Sequence, residues 1–210
     1  MKSRVIWMSA LLAGVGAAGL ARAEGLQDLK PLAIGEPAPL AGVKMKNVDG
    51  RDWSIAEMKG TKGTLVVFTC NHCPWAKAWH TRIVEIGNRC AKQGIGAIAI
   101  NPNDPAAYAE DDYAGMQANA KRSHMAFPYA VDATSDVARA FGATHTPEAY
   151  LFDRDGRLVY HGAIDDNAKE PNRVKARYLE DAVRALRDGK EMSMRETKSI
   201  GCSIKFRARS

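Results

Sequence analysis

The sequence predicts an α/β fold with helices flanking a mixed central sheet. Three observations lead to this prediction. Apolar, strand-like runs alternate with amphipathic helical segments between residues 64 and 142, a pattern typical of parallel strands with helical crossovers. Two further strand-like runs flank the turn at Asp153–Gly156, which indicates an antiparallel hairpin ahead of a last helix. The length of 210 residues suits one domain.

A small N-terminal hairpin is expected ahead of the main sheet. The proline-containing segment Pro31–Pro39 predicts extended chain, and strand-like residues at 42–45 and 52–55 flank a turn at Asp49–Gly50. The continuous apolar run Thr64–Thr69 then has the composition of a strand that is buried on both faces.

Four helices and four more strands follow this strand. Apolar residues of the first helix recur every three or four positions and share one face: Trp75, Trp79, Ile83, Ile86 and Cys90. The second helix is expected to begin at Asp111 or Asp112, either of which suits a cap, and to end near Ser123. The expected helices are 74–93, 111–123, 135–141 and 174–187, and the expected strands are 95–100, 127–131, 148–152 and 157–161.

The N-terminal segment has the features of a secretory signal peptide. Lys2 and Arg4 precede an apolar stretch interrupted by glycines, and Ala21-Arg22-Ala23 matches a small-x-small cleavage site. The stretch is shorter and more broken than a transmembrane span, which needs about 20 apolar residues. We therefore expect a signal peptide at residues 1–23, a domain at residues 24–210 with a C-terminal tail at 190–210, no stable membrane anchor, and a periplasmic or secreted location.

Composition limits the classes of partner. The net charge is +6, but three basic residues lie within the first 23 positions, and several others lie in the C-terminal tail, which we expect to be solvated. The sequence contains no long basic run and no basic-aromatic platform, so nucleic acid is not an expected partner.

Cys70 and Cys73 form the motif that carries chemistry. They belong to the run Cys-Asn-His-Cys-Pro-Trp, where the predicted strand gives way to the first predicted helix. Two thiols at this spacing can close into a disulfide and reopen, and a helix N-terminus favours the reactive thiolate. A structural disulfide or half of a zinc site are the alternatives, but Cys90 and Cys202 do not form the second ligand pair that zinc needs. The motif therefore predicts redox chemistry, without a cofactor.

Pro74 indicates which of the two sulfurs is the more acidic. Proline fits the first position of a helix, where no hydrogen bond is lost, so Cys73 is expected at the N-cap, near the free amides of the first turn. We infer that Cys73 attacks and Cys70 is its partner, with the opposite order as the alternative. His72, as an imidazolium, is a candidate to stabilise the thiolate, and the alternative is an exposed loop histidine.

Together with other short segments, this motif resembles the thioredoxin-like superfamily, and within it the redoxin or peroxiredoxin-like branch related to AhpC/TSA proteins. The segments extend over nearly the whole chain beyond the signal peptide. They are Gly35–Pro39, Cys70–Pro74, Asn101–Asp104, Phe127–Tyr129, Gly142–Pro147, Gly162–Asp166 and Gly201–Phe206.

This resemblance implies a thioredoxin-like fold with an inserted strand-helix unit. It also implies a cis peptide bond between Thr146 and Pro147, packed against the active sulfurs, which would expose the Thr146 backbone for pairing with a substrate strand. The Pro-x-x-x-Thr/Ser-x-x-Cys pattern of peroxiredoxins is absent before Cys73, which argues against efficient peroxide reduction.

The two remaining cysteines have different expected roles. Cys90 lies on the apolar face of the first predicted helix and is expected to be a buried, inert thiol. Cys202 lies in the polar tail, where it is either a third redox thiol that folds back onto the pair or a lone surface thiol. The resemblance of the tail segment favours a role in the fold or the redox cycle.

Three functions are compatible with these residues. The first, which we favour, is an exported thiol–disulfide oxidoreductase that uses the Cys70/Cys73 couple on disulfides or thiols of proteins or small molecules, with an unidentified redox partner. The second is a peroxide reductase, in which Cys73 forms a sulfenic acid that Cys70 resolves. The third is a Cu(I)-binding protein with Cys70, His72 and Cys73 as ligands.

Overall fold

The computed structural model describes residues 29–209, so the predicted signal peptide lies outside the described residues. Its strands are Met45–Asn47 (β1), Asp52–Trp53 (β2), Gly63–Phe68 (β3), Ile95–Asn101 (β4), Tyr129–Val131 (β5), His145–Thr146 (β6), Glu148–Asp153 (β7), Leu158–Gly162 (β8) and Cys202–Ser203 (β9). Its α-helices are Pro74–Lys92 (α1), Tyr113–Arg122 (α2), Asp136–Phe141 (α3) and Tyr178–Asp188 (α4).

Seven of these strands form one mixed sheet in the order β2-β1-β5-β4-β3-β7-β8. The neighbours β3 and β4, and β4 and β5, are parallel, whereas the other neighbouring pairs are antiparallel. The N-terminal hairpin is β1–β2, and the unit α2–β5 places an additional strand between β4 and that hairpin. The predicted α/β class with a mixed sheet flanked by helices is therefore confirmed.

The core lies on both faces of the sheet. Successive residues of β3 point to opposite faces, so Leu65 and Val67 pack with α1, α2 and α4, whereas Val66 and Phe68 pack with α3 and the segments at both ends of the chain. All six residues of β3 are buried, which explains its continuous apolar composition. Gly142, with a φ of 65°, ends α3 as predicted.

The start of α4 differs from the expected one, whereas the start of α2 agrees with it. Helix α4 begins at Tyr178 rather than Val174, because the residues before it are held away from the helix. The amide of Lys175 donates to the side chain of Asp166, and the carbonyl of Ala176 accepts from the Asp166 amide. Helix α2 begins after Asp112, whose carboxylate accepts the amide hydrogen of Gly115 at 2.6 Å.

The C-terminal tail is exposed over most of residues 190–200, as its polar composition predicts, but it is docked from residue 201 to residue 207. Its strand β9 pairs antiparallel with β6, and Ile204 is only 3% exposed. The amide of Lys205 donates to Asn103, and the amide of Arg207 donates to Ser135, so the segment beyond β9 is also docked. The expectation was wrong for residues 201–207 because two apolar side chains, Ile204 and Phe206, separated by one residue, are enough to bury one side of an extended segment.

Within residues 29–209, no helix combines the length and the apolar character needed to cross a membrane.

Candidate active site

The two thiols of the CxxC motif lie where β3 ends and α1 begins. Cys73 has an extended backbone (φ −64°, ψ 125°) and is the N-cap of α1, with Pro74 in the first turn, as the proline argument requires. Both sulfurs are buried, since Cys73 is 0% exposed and Cys70 is 3% exposed. Each is a free thiol.

Thr146, the last residue of β6, contacts both sulfurs. Its hydroxyl lies 3.1 Å from Sγ of Cys70, and its carbonyl oxygen lies 3.2 Å from Sγ of Cys73. The peptide bond between Thr146 and Pro147 is cis. The chain therefore brings Cys70, Cys73 and the Thr146–Pro147 bond to one place, although 73 residues separate Cys73 from Thr146.

The surroundings push the acidities of the two thiols in opposite directions. Hydrogen bonding from the Cys70 thiol, together with the Cys202 thiol and the backbone amide of Ala76, outweighs burial and lowers the pKa of Cys73 to about 4. The pKa of Cys70 is raised, because Cys70 is the donor to Cys73, is buried, and lies near the negative charge of Asp111. At neutral pH the pair is therefore a thiolate at Cys73 and a thiol at Cys70.

The carboxylate of Asp111 holds the loop between the two cysteines through hydrogen bonds. Its Oδ1 accepts the amide hydrogens of Asn71 at 2.6 Å and of His72 at 3.2 Å. Its Oδ2 accepts from the side chain of Asn103 at 2.8 Å and lies 2.5 Å from Nδ1 of His72. The carboxylate is 3% exposed, so these bonds form away from water. One buried side chain thus fixes the backbone that carries Cys70.

His72 does not take the place expected of it beside the Cys73 thiolate. Its ring points to Asp111 and stacks on Tyr108, with centroids 3.8 Å apart. It is also not the exposed loop histidine of the alternative, since its side chain is 8% exposed. Adjacency in sequence to Cys73 did not reveal this orientation, because the direction is set by Asp111, 39 residues away.

Because the His72 ring faces Asp111, the residues that lie together differ from the ligand set predicted for Cu(I). Among residues 29–209, the metal-ligating atoms that lie within 4.8 Å of one another belong to Cys70, His72 and Asp111, not to Cys73. A carboxylate oxygen replaces one of the soft sulfurs that Cu(I) prefers. The set that lies together thus differs by one residue from the predicted ligands Cys70, His72 and Cys73.

The other two cysteines occupy different environments. Cys90 is 0% exposed in the core, and burial raises its pKa to about 12, so it has the expected character of an inert thiol. Cys202 is half-buried and hydrogen bonds to Cys73. Burial is the larger cause and this hydrogen bond the second cause that raise the pKa of Cys202 to about 11. Because Cys202 pairs with Thr146 in the β6–β9 ladder, the Thr146 backbone is not exposed as the resemblance had implied.

Glu148 holds the backbone just before the cis peptide bond between Thr146 and Pro147. It was not identified from the sequence. Its carboxylate accepts the amide hydrogens of Thr144 at 2.9 Å and His145 at 3.1 Å, and it lies 2.6 Å from Nε2 of His161. Burial acts to raise the pKa of Glu148, but these hydrogen bonds lower it overall. An acidic residue at the start of an otherwise apolar strand was the available signal.

A small cleft of about 420 Å³ opens beside Cys70. It is lined by Lys77, Glu110, Arg122 and His80. His80 is half-buried, with an Nε2 atom that has no hydrogen-bond partner among the described residues. Burial and the nearby Arg122 lower its pKa, so this ring is neutral at pH 7.

The different acidities predict different pH dependences of alkylation. With a pKa of about 4, Cys73 remains a thiolate from pH 6 to pH 8, so its rate of reaction with iodoacetamide should be nearly constant over this range. Cys202, with a pKa of about 11, should react about tenfold faster for each pH unit. Peptide mass spectrometry of the reduced protein measures both rates. A Cys73 rate that rises tenfold per unit would contradict the assignment of the thiolate.

Comparison with known proteins identifies relatives of the chain. The model of the AhpC/TSA family matches residues 34–161. A hypothetical protein from Sinorhizobium meliloti 1021, known from a crystal structure, is 34% identical, with a TM-score of 0.77 over 86% of this chain and 98% of that chain. The thiol-disulfide oxidoreductase ResA of Geobacillus thermodenitrificans (strain NG80-2) is 24% identical over 127 residues, which are 60% of this chain and 67% of that protein.

A likeness of fold extends to a more distant protein. The solution structure of a thioredoxin-like protein in the oxidized form is 20% identical, with a TM-score of 0.61 over 76% of this chain and 100% of that chain. The thioredoxin-like fold expected from the short motifs is therefore confirmed.

Proposed function

The chain belongs to the AhpC/TSA family, and from that premise we propose that it is a thiol–disulfide oxidoreductase whose redox couple is Cys70 and Cys73. The observation that carries the proposal is the contact between a stabilised thiolate and a protonated thiol at the N-terminus of α1. In such a pair the thiolate is able to attack a disulfide, and the protonated thiol is able to resolve the mixed disulfide that results. The similarity to a protein named thiol-disulfide oxidoreductase supports the same chemistry.

The reaction proceeds by two exchanges. The Cys73 thiolate attacks one sulfur of a substrate disulfide, a bond forms between Cys73 and that sulfur, and the other substrate sulfur leaves as a thiolate. Cys70 then loses its proton and attacks Sγ of Cys73, which forms the Cys70–Cys73 disulfide and releases the second substrate thiol. The substrate gains two electrons and the protein loses two, and a dithiol partner returns the protein to its starting state.

Thr146 is placed to assist the second exchange. Its hydroxyl contacts Sγ of Cys70 and can donate a hydrogen bond to the thiolate that forms there when the proton leaves. Cys70 stays protonated while Cys73 is negatively charged, because it donates its hydrogen bond to that thiolate, and burial and the charge of Asp111 act in the same direction. Formation of the mixed disulfide removes the first of these effects. We assign Cys73 as the nucleophile, Cys70 as the resolving thiol, and His72 as a residue that positions the loop through Asp111.

The test separates this chemistry from peroxide reduction. The reduced protein is mixed either with insulin or with hydrogen peroxide, quenched with acid, and analysed for the Cys70–Cys73 disulfide. We expect this disulfide to form faster with the insulin disulfides at equal concentrations of oxidant. Faster oxidation by peroxide would favour the peroxidase alternative, and failure of the two sulfurs to join with either oxidant would reject the couple altogether.

The couple should also show a distinctive dependence of its reduction potential on pH. From pH 5 to pH 8 the reduced form is one thiolate and one thiol, so two-electron reduction takes up one proton and the potential falls by about 30 mV per pH unit. Below pH 4 Cys73 is also protonated, two protons are taken up, and the slope steepens to about 59 mV per unit. Titration against dithiothreitol at several pH values measures the slope. A value near 59 mV per unit from pH 5 to pH 8 would mean that both sulfurs are ordinary thiols.

We also propose that the protein is exported, because residues 1–23 have the pattern of a cleavable signal peptide. In an oxidising compartment its substrates are disulfides or thiols of proteins or small molecules. N-terminal sequencing of the protein from a periplasmic or secreted fraction should begin at Glu24, whereas an intact Met1 in the cytoplasmic fraction would argue against export.

A further inference from the structure

The C-terminal segment Gly201–Phe206 lies directly against the two thiols. In the β6–β9 ladder Thr146 is opposite Cys202 and His145 is opposite Ser203, and the amide of Ile204 donates to the carbonyl of Thr144 at 3.0 Å. This pairing places the Cys202 thiol in hydrogen-bonding contact with Cys73. An extended strand that carries a cysteine thus occupies the edge on which a substrate cysteine has to reach Cys73.

The fit of the segment depends on the residue before its cysteine. A Cβ atom on Gly201 would lie 2.4 Å from the carbonyl oxygen of Thr146 and 2.7 Å from the carbonyl carbon, which is closer than real contacts allow. The backbone of the segment can therefore approach the cis-proline loop only with glycine at this position.

The fit also depends on the residue two positions after the cysteine. Ile204 is 3% exposed and packs in the core cluster on the α3 face of the sheet, beside Phe141 and Ala143. The groove along β6 in which Gly201–Phe206 lies is narrow at Gly201, where only a residue without a Cβ atom fits against Thr146, and it has an apolar pocket at Ile204. Together these two features describe an extended peptide with a small residue before its cysteine and an aliphatic residue two positions after it.

The segment closes the groove as well as filling it. Cys73 is 0% exposed and Cys70 is 3% exposed, whereas Cys202, the outermost thiol of the three, is only partly covered. Cys202 is not a substitute for the buried thiolate at neutral pH, because its proton is held firmly. A polypeptide disulfide therefore reaches Cys73 only after the segment has left.

We propose that Gly201–Phe206 is a displaceable internal occupant of the substrate groove, and that the substrates are disulfides in extended polypeptide segments of the same pattern, small–Cys–x–aliphatic. The inference rests on the proposed function of the Cys70/Cys73 couple and adds the class of substrate and the step that admits it. Its chemistry is the exchange described above, with no additional oxidant or reductant.

The proposal that Gly201–Phe206 occupies the substrate groove is tested with a substitution that weakens the packing of this segment against Thr146. Gly201→Ala should shift the segment towards the open state and raise the rate at which a neutral maleimide modifies Cys73 by about tenfold, in proportion to the open fraction. The matched control is Gly42→Ala, because a Cβ atom there meets nothing within 4 Å. A chain that ends at Ser199 serves as a second variant if it folds. Equal Cys73 rates in Gly201→Ala and the wild type would overturn the proposal.

The docked position of Cys202 has its own readout. In Cys70→Ser, the mixed disulfide that Cys73 forms with hydroxyethyl disulfide should be attacked by Cys202, which displaces mercaptoethanol and yields a Cys73–Cys202 disulfide. Adding Gly201→Ala to this variant should lower the yield of that disulfide severalfold. Absence of the Cys73–Cys202 disulfide in the single variant would contradict both the docked position and the role of Cys202 as a third redox thiol.

The substrate pattern is tested with peptides in the Gly201→Ala, Cys70→Ser protein. The probe is the disulfide-linked dimer of the peptide Ser-Ile-Gly-Cys-Ser-Ile-Lys-Phe, which copies residues 199–206. It should form a mixed disulfide with Cys73 about tenfold faster than the same peptide with its glycine changed to alanine or its second isoleucine changed to serine. Equal rates for the three peptides would reject the substrate pattern.

A small disulfide distinguishes this inference from the proposed function. The proposed function holds and the internal occupant is rejected if wild-type protein and both glycine variants form the Cys70–Cys73 disulfide with hydroxyethyl disulfide, while the maleimide rate at Cys73 does not respond to Gly201→Ala and the three peptides react equally fast. If none of the proteins forms the Cys70–Cys73 disulfide, the proposed function itself fails.

Discussion

Cys73→Ser is expected to lower the rate of disulfide exchange by at least about 1,000-fold, because a hydroxyl cannot replace the thiolate that begins the reaction. Cys70→Ser should behave differently. It keeps the Cys73 sulfur, so it should complete the first exchange with insulin and accumulate a mixed disulfide, because the bound polypeptide displaces the segment that carries Cys202. It should lose turnover because Cys70 no longer resolves this intermediate. The insulin assay measures turnover, and intact mass spectrometry measures the mixed disulfide.

The control for this pair is Cys90→Ser, since Cys90 lies in the core away from the couple. Its turnover should match that of the wild type once any loss of stability has been allowed for. The order of attack would be reversed if Cys73→Ser accumulated the mixed disulfide and Cys70→Ser did not. A Cys70→Ser variant that turns over as fast as the wild type would point to Cys202 as the resolving thiol.

Asp111→Ala should produce the second large effect, a loss of about 3–5 kcal/mol in the free energy of unfolding. The substitution leaves the amides of Asn71 and His72 and the ring of His72 without their acceptor in a buried place. Urea denaturation of the reduced protein measures the change. The pKa of Cys70 should also fall in this variant, because the negative charge that disfavours its thiolate is gone.

Asp112→Ala is the matched control, with the same change one residue along the chain. Asp112 is exposed and caps α2 through the amide of Gly115, so its loss should cost about 1 kcal/mol and leave the two thiols unaffected. Similar losses for the two variants would mean that Asp111 is merely another residue of the helix start and does not organise the site.

These two neighbouring carboxylates show where prediction from sequence reaches its limit. Local pattern treated Asp111 and Asp112 as equivalent caps, because capping depends only on the residues that follow. Their different roles depend on which one faces Asn71 and His72, about 40 residues earlier. Long-range contacts of this kind leave no periodic or spacing signal. Glu148 is a different case, because its amide partners Thr144 and His145 are only three or four residues away and its acidic side chain at the start of an apolar strand was a signal that was overlooked.

Features that depend on neighbouring residues were predicted well. The strand before the cysteines and the helix after them agree with their expected ranges to within one residue, and Pro74 located the N-cap at Cys73. The strand β9 was missed, although Ile204 and Phe206 alternate with polar residues in the manner of an edge strand. Two residues of ladder are too short for such a pattern to stand out from a charged tail.

The position of Asp111 in the fold limits how this domain can be shortened or recombined with relatives. The carboxylate stands just before α2, at the beginning of the helix and strand that widen the sheet towards the N-terminal hairpin. Excising that helix and strand to obtain a minimal scaffold would disturb the anchor of the loop that bears Cys70. The widened part of the sheet is thus an integral component of the catalytic architecture, and chimeras that exchange it between relatives should exchange redox behaviour along with it.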